Sequence, residues 1–121
     1  LSRILREKGM HNPKSSSVLE HSLAAVELAR PVVQAVQRRD RDLASQLRRA
    51  ISSVALNLAE GFGCTDGNAR LRFETARGSL NEARTAIRVA VAWGYVSAGA
   101  TTGVLECIDA LGARVFGLAR R

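Results

Sequence analysis

Phe73, Ala76, Leu80, Ala83, Ile87 and Ala90 follow one another at intervals of three and four residues. That alternation is the seam of a helix packed on other helices; a strand, which repeats every second residue, cannot bury it on one face. It predicts a helix from about Gly67 to Trp93, ended by Gly94. Three other stretches carry the same signal. Leu43, Leu47, Ile51, Val54 and Leu58 predict a helix that opens near Asp40 or Asp42, acids suited to a helix N-terminus, and closes over residues 60–63. Gly61 suits the left-handed position just past its last turn. Val104, Ile108, Leu111, Val115 and Leu118 predict a helix from Thr101 to Ala119, capped by Thr101 or Thr102. Leu19, Leu23, Val26, Val33 and Val36 predict one from Val18 to Gln37, capped by Ser16 or Ser17 and kinked or broken at Pro31. Four amphipathic helices joined by short links give an all-α fold, most simply an antiparallel up-down-up-down four-helix bundle.

At 121 residues the chain has room for one such domain, over residues 18–121. Its only aromatic residues are Phe62, Phe73, Trp93, Tyr95 and Phe116, so aliphatic residues and alanine must fill the core. Residues 1–17 are polar, hold Gly9, Asn12 and Pro13, and read as a flexible basic N-terminal arm. The apolar run from Ile87 to Val96 contains Arg88 and is too short to cross a bilayer. Cys64 and Cys107 stand alone, without a CxxC pair, and no signal peptide or lipidation motif is present. The expectation is a cytoplasmic protein with no membrane partner.

Catalytic chemistry finds little to build on. His11 and His21 are the only histidines, and no Cys/His cluster has metal-ligand spacing. Neither histidine is tied by context to a serine or cysteine, and no phosphate-binding glycine loop occurs. The reading is a protein without metal, cofactor or catalytic residues.

Two polar constellations stand out. Gln46, Ser53, Asn57 and Glu60 share one face of the second helix, while Ser79 and Glu82 lie one turn apart on the third, beside Gly78. They read as a network fixing helix register, with a ligand or catalytic site around Glu60 and Glu82 as the alternative. The second constellation is arginine, which supplies 16 of the 18 Lys and Arg residues in a chain of net charge +7. The excess falls on residues 1–17, 38–60 and 67–96 rather than evenly. Arg70, Arg77 and Arg84 recur every seven residues, followed by Arg88, and Arg48 and Arg49 lie on the second helix with Arg38, Arg39 and Arg41 before them. One reading is a solvated face paired with acids such as Glu74. The other is a nucleic-acid surface in which Arg48, Arg49, Arg70, Arg77, Arg84 and Arg88 touch phosphates, so that replacing Arg77 and Arg84 flattens the salt dependence. Arg48 or Arg49 could instead be held by Glu60 or Glu82.

Gln46 to Gly63 reads QLRRAISSVALNLAEGFG, and Ala76 to Ala83 reads ARGSLNEA. Together they closely resemble the four-helix bundle proteins encoded in intervening sequences of bacterial 23S rRNA genes. That family includes the accessory variability protein of diversity-generating retroelements. The resemblance runs from about Leu19 to the C-terminus. Gln46–Ala50, Ser53 and Asn57–Gly61 match the first motif, and Gly78, Ser79, Leu80 and Glu82 match the second. The family commonly has proline two residues after the motif serine, where this chain has Ala55; the second helix is therefore expected to be straighter here. The resemblance implies a homopentameric ring without catalysis. Its accessory-protein branch implies a basic surface engaging a reverse transcriptase and RNA or DNA. A ring must cover apolar residues off the main seams, and Leu28, Val32, Leu56 and Val89 are expected at those contacts.

Overall fold

In a computed structural model, which describes residues 13–65 and 67–120, most of the described residues are α-helical. The helices are α1 (Pro13–Gln37), α2 (Arg41–Gly63), α3 (Ala69–Ala92) and α4 (Ala98–Ala119). Among the described residues there is no strand. Each helix packs on the next and α1 packs on α4, so the four surround one core.

The seams read from sequence for α2, α3 and α4 are the buried seams of the fold: all sixteen apolar residues named for those helices are buried. Many of the core side chains are alanines, among them Ala25, Ala29, Ala50, Ala76, Ala83 and Ala90, which let helix backbones approach closely. On α1 Leu19, Val33 and Val36 of the expected stripe are buried, but its middle is rotated. Leu23 and Val26 are only half-buried, while Val18, Ser22, Ala25, Ala29 and Val32 face inward. Val32, expected at a subunit contact, is therefore a core residue, 3% exposed.

Several boundaries differ from the sequence expectation, for local reasons. Helix α1 begins at Pro13 rather than Val18, with proline in the first helical position, where its missing N–H costs nothing. Ser16 and Ser17 are thus inside the helix and do not cap it. Of the arm expected over residues 1–17, residues 13–17 belong to α1 and the rest lie outside the described residues. Pro31 does not interrupt α1. Asp40 caps α2, its carboxylate accepting from the Leu43 N–H at 3.0 Å. Helix α4 is capped by Ser97, which accepts from the Ala100 N–H, and not by Thr101 or Thr102. Thr101 is buried and donates to the Ala98 carbonyl.

Gly61 is not a left-handed terminator. It is a buried residue within α2, and a Cβ there would run into the ring of Phe73. Helix α2 continues to Gly63. Gly94, by contrast, ends α3 as expected, with φ +79°. Its N–H donates to the Val91 carbonyl, and that of Tyr95 to the Ala90 carbonyl, both at 2.9 Å. These two bonds satisfy carbonyls that the helix end leaves open, and they fix the chain direction into α4.

Candidate nucleic-acid interface

Between α2 and α3 the polar residues named from the sequence divide into two groups. Ser53 accepts hydrogen bonds at Oγ from Asn57 Nδ2 and from Ser79 Oγ, each at 2.9 Å, and Asn57 Nδ2 also reaches the Ser53 carbonyl. All three side chains are half-buried. The bond from Ser79 to Ser53 crosses between helices and ties their register. The other three residues stand apart from this group. Glu60 is exposed and pairs with Arg72 at 3.1 Å, not with Arg48 or Arg49. Gln46 and Glu82 line a shallow groove with Leu43, Ala86 and Val89. Glu60 and Glu82 therefore have different surroundings, and neither carboxylate is buried.

The arginines of α3 also have unlike surroundings. Arg84 is half-buried, and its Nε donates to Asp109 on α4 at 2.9 Å. Arg77 pairs with Glu74 at 3.6 Å, and its guanidinium lies 4.9 Å from the centre of the Phe116 ring, which Arg120 also approaches, at 5.2 Å. Among the described residues, Arg48, Arg49, Arg70 and Arg88 have no carboxylate within ion-pair distance. Arg48 lines a groove between α1 and α2 with Glu27, Arg30 and Ser52, and Arg88 lines one between α3 and α4 with Glu106 and Asp109. The six arginines thus do not form one unbroken positive strip. Acids interleave with those that face α4.

Three contacts went unread in the sequence. Arg114 donates to Nδ1 of His21 at 3.1 Å and to Oγ of Ser17 at 2.9 Å, linking α4 to α1. Loss of solvent lowers the His21 pKa below its ordinary value, and the Arg114 charge lowers it further against a hydrogen bond to the Cys107 backbone. Phe116 gathers two guanidiniums at an exposed site. Trp93 and Tyr95 stack beside the α1–α2 turn, with Arg39 over the Tyr95 ring. A signal for the last was present: an aromatic residue on either side of the helix-ending Gly94, with Trp93 just outside the apolar seam.

Among the described residues, no group of three His, Cys, Asp or Glu side chains comes together to hold a metal, and no helix is long and apolar enough to cross a membrane. Burial raises the pKa of the half-buried Cys107 thiol, which makes it a poor nucleophile. Residues 16–117 match the model of the 23S rRNA-intervening sequence protein family. The chain belongs to that family. The match takes in both motifs, so the Ser53–Asn57–Ser79 network and all six arginines lie within the family region. No curated protein matches the chain.

Proposed function

We propose that this member of the 23S rRNA-intervening sequence family is a non-enzymatic, oligomeric bundle that binds RNA or DNA through its basic surface, as an accessory factor. A reverse transcriptase of a retroelement is the partner enzyme suggested by the resemblance. The observation that carries the reading is the exposure of Arg48, Arg49, Arg70 and Arg88 without carboxylate partners among the described residues, in a chain of net charge +7. Unpaired guanidiniums neutralise phosphates and release counterions; those already paired must first give up a partner. The same reading takes the helices as antiparallel. Partners on α3 fall in number as those on α2 rise, from Val89 near Leu43, through Ser79 on Ser53, to Arg72 on Glu60.

The assembly we favour is a homopentamer, and exposed apolar side chains support self-association. Leu56 and Leu71 are each 64% exposed, and Leu28 and Val89 are exposed as well. These residues also support a second reading, an oligomeric protein-binding scaffold without nucleic-acid binding. Titration of structured RNA and duplex DNA across a salt series, with light scattering on the same sample, separates the two. Binding that weakens steeply with salt is expected of the first. A stable oligomer that binds neither nucleic acid at low salt would leave the scaffold.

A further inference from the structure

Trp93 is the chain's only tryptophan, and it is 68% exposed. A large ring in water is costly unless something covers it or the site needs it there. Its position is fixed by the end of α3. Trp93 is the last residue before the left-handed Gly94, and its own N–H donates to the Val89 carbonyl at 2.9 Å. The Schellman-type bonds of Gly94 and Tyr95 then bring the following ring back alongside it. The two rings are close to parallel, 18° apart in plane, with centroids 6.4 Å apart.

Tyr95 is the supported member of the pair. It is half-buried against the core, and Arg39 lies over its ring, 5.6 Å from the centroid. Loss of solvent and the neighbouring Asp40 carboxylate raise its phenol pKa, so the ring stays neutral. Arg38 and Arg39 lie in the turn between α1 and α2 and Arg41 opens α2, all three exposed. Residues 38–42 set these three arginines against Asp40, which also caps α2, and Asp42, so the segment keeps a net positive charge. Aromatic surface beside guanidinium groups is the chemistry that holds single-stranded nucleic acid: a base stacks on the ring while its phosphates meet the cations. An apolar protein partner would not need the arginines, and a duplex hides its base faces.

We propose that Trp93 and Tyr95, with Arg38, Arg39 and Arg41, form a stacking platform for an unpaired nucleobase of a single strand. This rests on the nucleic-acid reading and adds to it a preference for unpaired over duplex segments at this end of the bundle. RNA and DNA present the same base faces, so both are tested.

The experiment titrates single strands of about 15 nucleotides, RNA and DNA, and the matching duplex into the full chain. Labelled-strand anisotropy reports binding, and Trp93 emission reports stacking. Single strands should quench Trp93, and Trp93→Ala should weaken their binding by about 10- to 100-fold while leaving duplex binding unchanged. Trp93→Phe should keep most of the affinity, and Arg39→Gln should reduce the salt slope. Two results overturn the platform but leave the nucleic-acid reading intact. One is single-strand binding with unchanged Trp93 emission and full affinity in Trp93→Ala. The other is a Trp93 shielded from acrylamide in the free protein, which would mean that protein covers it. Failure of every strand and duplex to bind at low salt overturns both readings.

Discussion

A Cβ added to Gly61 would lie on the ring of Phe73, 2.8 Å from its Cδ1. Gly61 is in the last turn of α2 and Phe73 in the second turn of α3, so this contact sets how closely the two helices meet near their connection. Phe62 packs on the same ring, with centroids 5.1 Å apart and planes tilted by 58°. The glycine of the first motif is thus needed for close approach and not for a left-handed turn.

Gly61→Ala is accordingly expected to destabilise the bundle by about 1–3 kcal/mol, the usual cost of overpacking a buried contact. Gly63→Ala, where a Cβ would meet nothing within 4 Å, is the control and should be neutral or slightly stabilising. Urea unfolding of the two variants beside the parent checks both.

Ser53 Oγ accepts from two donors, so removing the hydroxyl strands Ser79 and leaves Asn57 Nδ2 with the Ser53 carbonyl alone. Ser53→Ala should cost about 1 kcal/mol, and Ser79→Ala less, because Asn57 keeps its partners when Ser79 is lost. In the double variant the loss should be smaller than the sum of the single losses. Strict additivity would mean that the Ser79–Ser53 bond contributes nothing to register.

How far the sequence revealed this molecule depends on the periodicity of each segment. On α2, α3 and α4 bulky apolar residues recur without interruption, and their seams are the buried ones. On α1 alanines and Ser22 occupy inward positions, and a small side chain carries little hydropathy signal. Hydropathy therefore picks out Leu23 and Val26 beside the buried Leu19, Val33 and Val36, and passes over the inward Ala25 and Ala29. Ser22 can be buried because its hydroxyl donates to the Leu19 carbonyl at 2.6 Å, a local bond that no hydropathy pattern shows. At the candidate site, residue types and spacing were legible, but their partners were not. Seven-residue spacing aligned Arg77 with Arg84, yet Asp109 and Phe116 come from a helix 25 or more residues away.

The family motif glycine on α3 gives a test of assembly. Gly78 is exposed, and within the protomer nothing lies within 4 Å of a Cβ there. Leu71, Gly78 and Val89 fall on one line of the helix, seven and eleven residues being close to whole numbers of turns. Gly78→Ala should therefore stabilise the isolated protomer by up to about 1 kcal/mol. If this line meets another copy, the same change weakens the oligomer. Leu56→Glu should abolish assembly with little effect on helix content. Light scattering at micromolar protein with circular dichroism on the same samples reads both, and an unchanged oligomer in both variants would remove this face from the interface.

The unequal commitments of the arginines sharpen the salt test. Arg84 is held by Asp109, and Arg77 by Glu74 and Phe116, whereas Arg48, Arg49 and Arg88 have no ion-pair partner among the described residues. Replacing Arg48 and Arg49 by alanine should lower the slope of log affinity against log salt by about 0.7–0.9 per lost phosphate contact. Replacing Arg77 and Arg84 should lower it less. The opposite order would assign the contacts to the α3–α4 side.

His21 makes stability depend on pH in a predictable direction. Its pKa in the folded protein lies below the ordinary 6.5, first through loss of solvent and then through the Arg114 charge. Arginine can only donate, so Nδ1 accepts its hydrogen bond and protonation of that nitrogen breaks it. Between the two pKa values the unfolded chain holds more protons, so stability falls with falling pH. The contribution is complete above 6.5, declines as pH drops through that value, and is gone below the folded pKa. Urea midpoints of the parent should thus decrease from about pH 7.5 to about pH 5.5, above the range where carboxylates titrate. His21→Gln, which does not titrate, should flatten that decrease. An equal decline in both proteins would mean that His21 is not its source.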